Sequence, residues 1–131
     1  MSIKYLAKII AKDRQGLQMI SACCAGAQVK IANIKYLQKN KVFLMSLTRS
    51  KIETKNVEKK INSFFRCEFV DNVKSKNIKQ SDPERKVELV TIDYLKNNNN
   101  YEINLIFTNK AYITLSTEII EVILDDQNKI T

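Results

Sequence analysis

Any chemistry in this chain would fall to carboxylates. Glu118, Glu121, Asp125 and Asp126 place four acids within nine residues. On a helix Glu118 and Glu121 share a face, whereas on a regular strand they point to opposite faces. Such acids can exchange protons or hold magnesium or calcium, yet neither a calcium-loop pattern nor a glycine-rich phosphate loop accompanies them. The chain contains no histidine. That removes the usual general base near neutral pH, the commonest metal ligand, and every triad or Cys-His pair. An enzyme built on Glu118, Glu121 and Asp125 would need the three to converge in one concave pocket with perturbed pKa values. A solvated acidic edge is the preferred reading, with no cofactor, no metal and no catalytic residue expected.

The cysteines Cys23, Cys24 and Cys67 do not form a disulfide framework. Adjacent cysteines bridge poorly and no C-x-x-C spacing occurs, so buried free thiols in a reducing compartment are expected. The small side chains of Ser21 to Ala27 read as a helix packed closely on a sheet in preference to a thiol site.

Twenty-two Lys and Arg against 14 Asp and Glu give a net charge of +8. Basic chains attract phosphates by releasing counterions. Here the charge is nearly all lysine, with arginine only at positions 14, 49, 66 and 85, whereas arginine's planar fork suits phosphate and guanine better. Lysine, isoleucine and asparagine abound together, as low-GC coding bias produces, so nucleic acid is a partner class not favoured by composition alone. Tyr36, Tyr94, Tyr101 and Tyr112 fall on expected strands, where a stacking platform and a core rim compete. The rim reading is preferred.

At 131 residues, 44% hydrophobic and 27% charged, the chain is read as a single domain over residues 1–131 with a full core. No signal-peptide pattern and no long apolar run are present, which leads to the expectation of a soluble cytoplasmic protein without a membrane partner. A strand over residues 3–11 leads to Asp13 as N-cap of a helix over 14–25, with Leu17, Ile20 and Cys24 on one face and Gly26 ending it. Val29 to Leu37 and Val42 to Arg49 read as a hairpin, with Asn40 available for positive φ. Phe43, Met45 and Leu47 line one face of its second strand while Val42 and Leu44 begin the other, so something should cover the outer side. Val57, Ile61, Phe64 and Phe65 fit a short helix, but Phe65, Cys67 and Phe69 alternate as in a strand, and residues 54–65 stay open between the two. Residues 74–85 read as a surface loop. A meander follows over 87–95, 101–108 and 111–117, with turns at 96–100 and 109–110. Residues 118–126 fit either helix or strand, and their β-branched content tips the balance to a strand bulged near Ile119-Ile120.

One pattern runs through nearly the whole chain. Leu17, Ile20, Ser21 and Ala22, then Ala27 and Val29, Ile34-x-Tyr36-Leu37, Phe43 and Arg49 lead to Val70, Val73, Ser75 and Ile78. Ile103-x-Leu105-x-Phe107, Ala111-x-Ile113-x-Leu115, Glu118-x-Ile120-Glu121 and Leu124-Asp125 complete it. This pattern resembles the uncharacterised bacterial family catalogued as domain of unknown function 2948, whose motifs are mostly apolar and therefore structural. The resemblance supplies kin but no activity. Lysine and asparagine stand in turns where relatives tend to have glycine.

Among the resembling positions Tyr36 and Arg49 are the polar ones that packing explains least, and both are candidate interaction residues. For Arg49 a structural salt bridge to an acid such as Glu121 comes before carboxylate or phosphate binding. The fold expected is α+β: a strongly bent, mostly antiparallel sheet of six to eight strands, open or curled into a partly open, pleckstrin-homology-like barrel, with a helix over 14–25. The function expected is a small non-catalytic binding or adaptor module acting on an unknown protein partner or by self-association as a homodimer. A lysine-rich RNA-associated protein is the alternative, and a carboxylate enzyme ranks third.

Overall fold

A computed structural model of the protein describes residues 8–52 and 58–130. In chain order these form β1 (Lys8–Ala11), α1 (Arg14–Cys24), β2 (Gln28–Lys30), a 3-10 turn (Ile31–Asn33), β3 (Ile34–Leu37), a second 3-10 turn (Gln38–Asn40) and β4 (Val42–Ile52). β5 (Glu58–Cys67), β6 (Val70–Lys76), β7 (Lys86–Asn97), β8 (Asn100–Phe107), β9 (Tyr112–Thr117) and β10 (Val122–Ile130) follow. The class is α+β. The expected first strand is seen from Lys8 onward, and its earlier part and Val57 lie outside the described residues.

Helix α1 forms for the reasons its sequence states. The Asp13 carboxylate accepts a hydrogen bond from the Gly16 amide at 2.8 Å, which satisfies a free N-terminal donor. Leu17, Ile20 and Cys24 face the core. Gly26 ends the helix at φ +83°, where a side chain would strain the backbone. Gly16 serves a different purpose: a Cβ there would stand 2.8 Å from Ala11 Cα and Cβ, so only glycine lets α1 approach β1 this closely. The small-residue stretch packs on β7, where Ser21 Oγ accepts from the Ile92 amide at 2.9 Å. That bond supports β7 beside its register shift between Leu89 and Thr91.

Among the described residues ten strands join in one antiparallel sheet, in the order β1-β10-β5-β4-β2-β7-β8-β9-β6, with β3 paired to β4. This count exceeds the expected six to eight for three reasons, the first being β6, whose last residues 74–76 lie in the stretch expected as loop. The turn at Ile31–Asn33 splits the expected strand 29–37 into β2 and β3, because the Ile31 and Ala32 amides turn away to Arg85 O and Pro83 O. The helical option for residues 54–65 is also overturned from Glu58 onward. Long cross-strand pairing of β5 with β4 and with β10 prevails over a marginal 3.6-residue period. At 118–126 the strand option holds from Val122, and the irregularity falls between Asp126 and Lys129 instead of near Ile119.

The sheet does not close into a barrel; β1 and β6 are its two ends. It bends at β2, which meets β4 through the single pair Gln28↔Thr48 and β7 through Gln28↔Glu88, Val29↔Val87 and Lys30↔Lys86. Side chains from both halves meet in one core. Phe43, Met45, Phe65 and Leu124 come from one half, Leu89, Ile103, Leu105 and Leu115 from the other, and Leu17 and Ile20 from α1. Turns are built from residues that tolerate positive φ. Asn109 and Lys110 form a two-residue hairpin at φ +62° and +60°, and both being positive matches the strand twist. In the turn before β4 it is Lys41, at φ +56°, and not Asn40, that is left-handed, since it follows the last residue of the 3-10 turn.

Candidate functional site

The sheet half formed by β1, β10, β5, β4 and β3 presents two chemically different faces, and the register assigns each residue to one of them. Inward lies the row Ile9, Leu124, Phe65, Met45 and Ile34. Outward lies Ile10, Ile123, Arg66, Leu44 and Lys35, and beside it Lys8, Asp125, Phe64 and Ser46.

Both candidate interaction residues turn inward. Arg49 on β4, Ser63 on β5 and Asp126 on β10 form a buried polar cluster within the apolar core. Arg49 Nε donates to Asp126 Oδ1 at 2.9 Å and Nη2 to Oδ2 at 2.5 Å, a two-pronged pair. Ser63 Oγ donates to Asp126 Oδ1 at 2.6 Å. The hydrogen bond to Asp126 holds the Arg49 pKa above its ordinary value, and burial opposes it. The acid is Asp126 and not Glu121. Pairing of Asp126 with Ser63 puts it on the inward face, whereas Glu121 precedes β10. Tyr36 is half-buried, and its hydroxyl donates to Val70 O at 2.7 Å, tying β3 to the start of β6. The polar groups of both residues are thus engaged within the chain.

The thiols belong to the interior as well. Burial pushes the Cys24 thiol up to about 12, with the Arg49 charge acting in the opposite direction. Burial likewise pushes Cys67 up to about 12, with Glu68 and Glu121 adding to it. A buried neutral thiol is a poor nucleophile. Nor do the carboxylates converge. Glu118 and Glu121 line a shallow depression with Lys12, Lys96 and Tyr101, while Asp125 lies on the outer face described above. Among the described residues no group of three or more Cys, Asp or Glu could hold a metal ion.

The outer face is the feature left unexplained by folding. Phe64 is 47% exposed and Ile10 54%, and with half-buried Leu44 and Ile123 they make an apolar floor. A depression of about 600 Å³ opens over Leu44, Phe64 and Ile123, with Arg66 between Ile123 and Leu44 in the cross-strand row and Lys8, Lys35 and Asp125 at the edge. Arg66 is held by Glu68. A second depression, of about 470 Å³, shares Asn33 and Ser46 with the first and is surrounded by Lys30, Lys60 and Lys86. It opens beside the sparse pairing of β2 with β4. Lys30 pairs with Glu84 at 3.3 Å, both side chains being exposed. Among the described residues Lys8, Lys35, Lys60 and Lys86 have no ion-pair partner. Lysines also stand elsewhere, as Lys41 does beside Asp71 at 3.0 Å; the hydrogen bond to that carboxylate raises its pKa.

The sequence reading reached this face only through Val42 and Leu44. A fuller signal was present in Phe43-Leu44-Met45, Phe64-Phe65 and Ile123-Leu124. Adjacent apolar residues on a strand must point to both sides of the sheet, so each pair sends one member outward.

No helix among the described residues is long and apolar enough to cross a membrane. No curated protein and no solved structure matches the chain. The family model described as "Protein of unknown function (DUF2948)" matches residues 7–131, nearly the whole chain, and the chain belongs to that family.

Proposed function

We propose that the protein is a small, non-catalytic cytoplasmic binding module that engages its partner through the outer face of β3, β4, β5, β10 and β1. The observation that carries this reading is the set of apolar side chains on the outer face, exposed Phe64 and Ile10 with half-buried Leu44 and Ile123, lying on β5, β1, β4 and β10 among Lys8, Lys35, Arg66 and Asp125. Folding alone favours polar residues there, because one face of an antiparallel sheet can remain wet at no cost. Contiguous exposed apolar area on a soluble domain marks an interaction surface more often than a scatter of single residues does. The absence of histidine and the separation of Asp125 from Glu118 and Glu121 support a role without catalysis.

The test is affinity capture from an extract of the protein's own cells, with wild type and Phe64→Ser run in parallel and nuclease-treated controls. Phe64 is exposed, so its replacement leaves the core untouched. A protein retained by wild type, insensitive to nuclease and lost with Phe64→Ser supports the module. Identical recovery by both proteins overturns it. Recovery of RNA that nuclease and salt abolish would instead favour the RNA-associated alternative, for which Lys30, Lys60 and Lys86 would be the phosphate contacts.

A further inference from the structure

We propose that the occupant of the outer face is an acidic peptide segment, with one large apolar side chain seated over Leu44, Phe64 and Ile123 and its neighbouring carboxylates directed to Lys30, Lys60 and Lys86. This rests on the outer face being the binding surface, and it adds the chemistry of the partner. The two depressions adjoin at Asn33 and Ser46, which line both, so an extended ligand can reach from the apolar one to the cationic one. A ligand that fits both ends must itself be apolar at one point and anionic beside it.

The cationic end has charge left over for an anion. Lys30 and Lys86 stand directly opposite each other on β2 and β7, and Glu84 offsets the charge of Lys30 alone, so that Lys86 is without an ion-pair partner among the described residues. Lys60 lines the same basin from β5 and, like Lys86, has no ion-pair partner among the described residues. Thr48 Oγ1 donates to Asn62 Oδ1 at 3.2 Å, which leaves the Asn62 amide nitrogen as a neutral donor at the basin wall. Carboxylates there would gain charge-assisted hydrogen bonds.

Other occupants fit less well. A second copy set face to face about an axis between the two ends would lay the lysines of one copy on the apolar floor of the other, desolvating them without a counter-charge. Single-stranded RNA needs successive aromatic platforms, whereas this groove has one aromatic ring, aliphatic neighbours and the Asp125 carboxylate beside it. An anionic bilayer is met by a protruding surface, and this one is recessed.

The probe is a displayed library of random peptides panned on the full chain, followed by fluorescence anisotropy of an enriched peptide. The expected result is enrichment of an aliphatic or aromatic residue flanked by Asp or Glu. Binding of that peptide should fall about tenfold or more with Phe64→Ser and, separately, with Lys60→Glu combined with Lys86→Glu, equivalent to at least ~1.4 kcal/mol. It should be unchanged with Lys74→Glu on β6. Matching thermal melts of all variants keep folding out of the comparison. The proposal is overturned if enriched peptides lack acids, if replacing their acids by Gln leaves affinity unchanged, or if oligouridylate binds and the peptides do not. Should it fail while capture from extract still depends on Phe64, the binding module stands and only the partner chemistry is wrong. Should both fail, the face is not the binding surface.

Discussion

At the scale of single residues, Arg49 is a charged side chain held out of water. Two charges removed from water each carry a desolvation penalty, which a two-pronged pair and a third hydrogen bond from Ser63 offset only together. Arg49→Ala should therefore cost about 3–5 kcal/mol, because it strands the Asp126 charge in the core. Arg49→Met combined with Asp126→Leu should be less harmful than either single change, since neither charge then remains. Urea denaturation of the three variants checks the ordering, and a double variant worse than Arg49→Ala would contradict it. Tyr36→Phe should lose roughly 1 kcal/mol, the ordinary net worth of one hydrogen bond, here the one to Val70 O. The polar identity of Arg49 and Tyr36 was legible in the sequence, as was the priority of a salt bridge for Arg49. The partner was not, since a seventy-seven-residue separation from Asp126 is resolved only by the register of three strands.

At the scale of elements, local chemistry was decisive where it was strong. Asp13, Gly26, the alternation of Ile103, Leu105 and Phe107, and the turn at Asn109-Lys110 each appear where the sequence placed them. Where local signals conflicted the sequence left two options open. Residues 58–65 carry a weak helical period, and pairing partners from β4 and β10 outweigh it. Helix α1 offers a contrast between two kinds of local constraint. Asp13→Ala removes a cap and should cost about 1 kcal/mol. Gly16→Ala improves intrinsic helix propensity yet drives a methyl into Ala11, so it should destabilise, by roughly 1–3 kcal/mol as overpacking does. Thermal melts of the two variants decide this, and a stabilised Gly16→Ala would mean that β1 moves freely away from α1.

For the molecule as a whole, burial of thiols sets a limit on alkaline tolerance. Cys24 and Cys67 have their pKa pushed up to about 12 from an ordinary 9.0. Above pH 9.0 the unfolded chain releases protons that the folded one keeps, so stability is full below that pH and declines toward about 12. The slope approaches ~1.4 kcal/mol per pH unit for each thiol. Denaturation midpoints measured across this range should fall, and Cys67→Ala should flatten the fall even though it lowers stability at neutral pH. An unchanged alkaline slope in that variant would show that Cys67 does not govern it.

The position of β10 between β1 and β5 has a temporal meaning. Synthesis delivers it last of the described strands, yet two earlier strands depend on it for pairing and Arg49 depends on it for a counter-charge. Until Asp126 leaves the ribosome, an early collapse of β4 and β5 would bury a guanidinium with no anion beside it, which holds the nascent half-sheet open. Folding of this half is thereby deferred until β10 is available to pair, and the distant pairing of β1 with β10 places it among slow, high-contact-order steps.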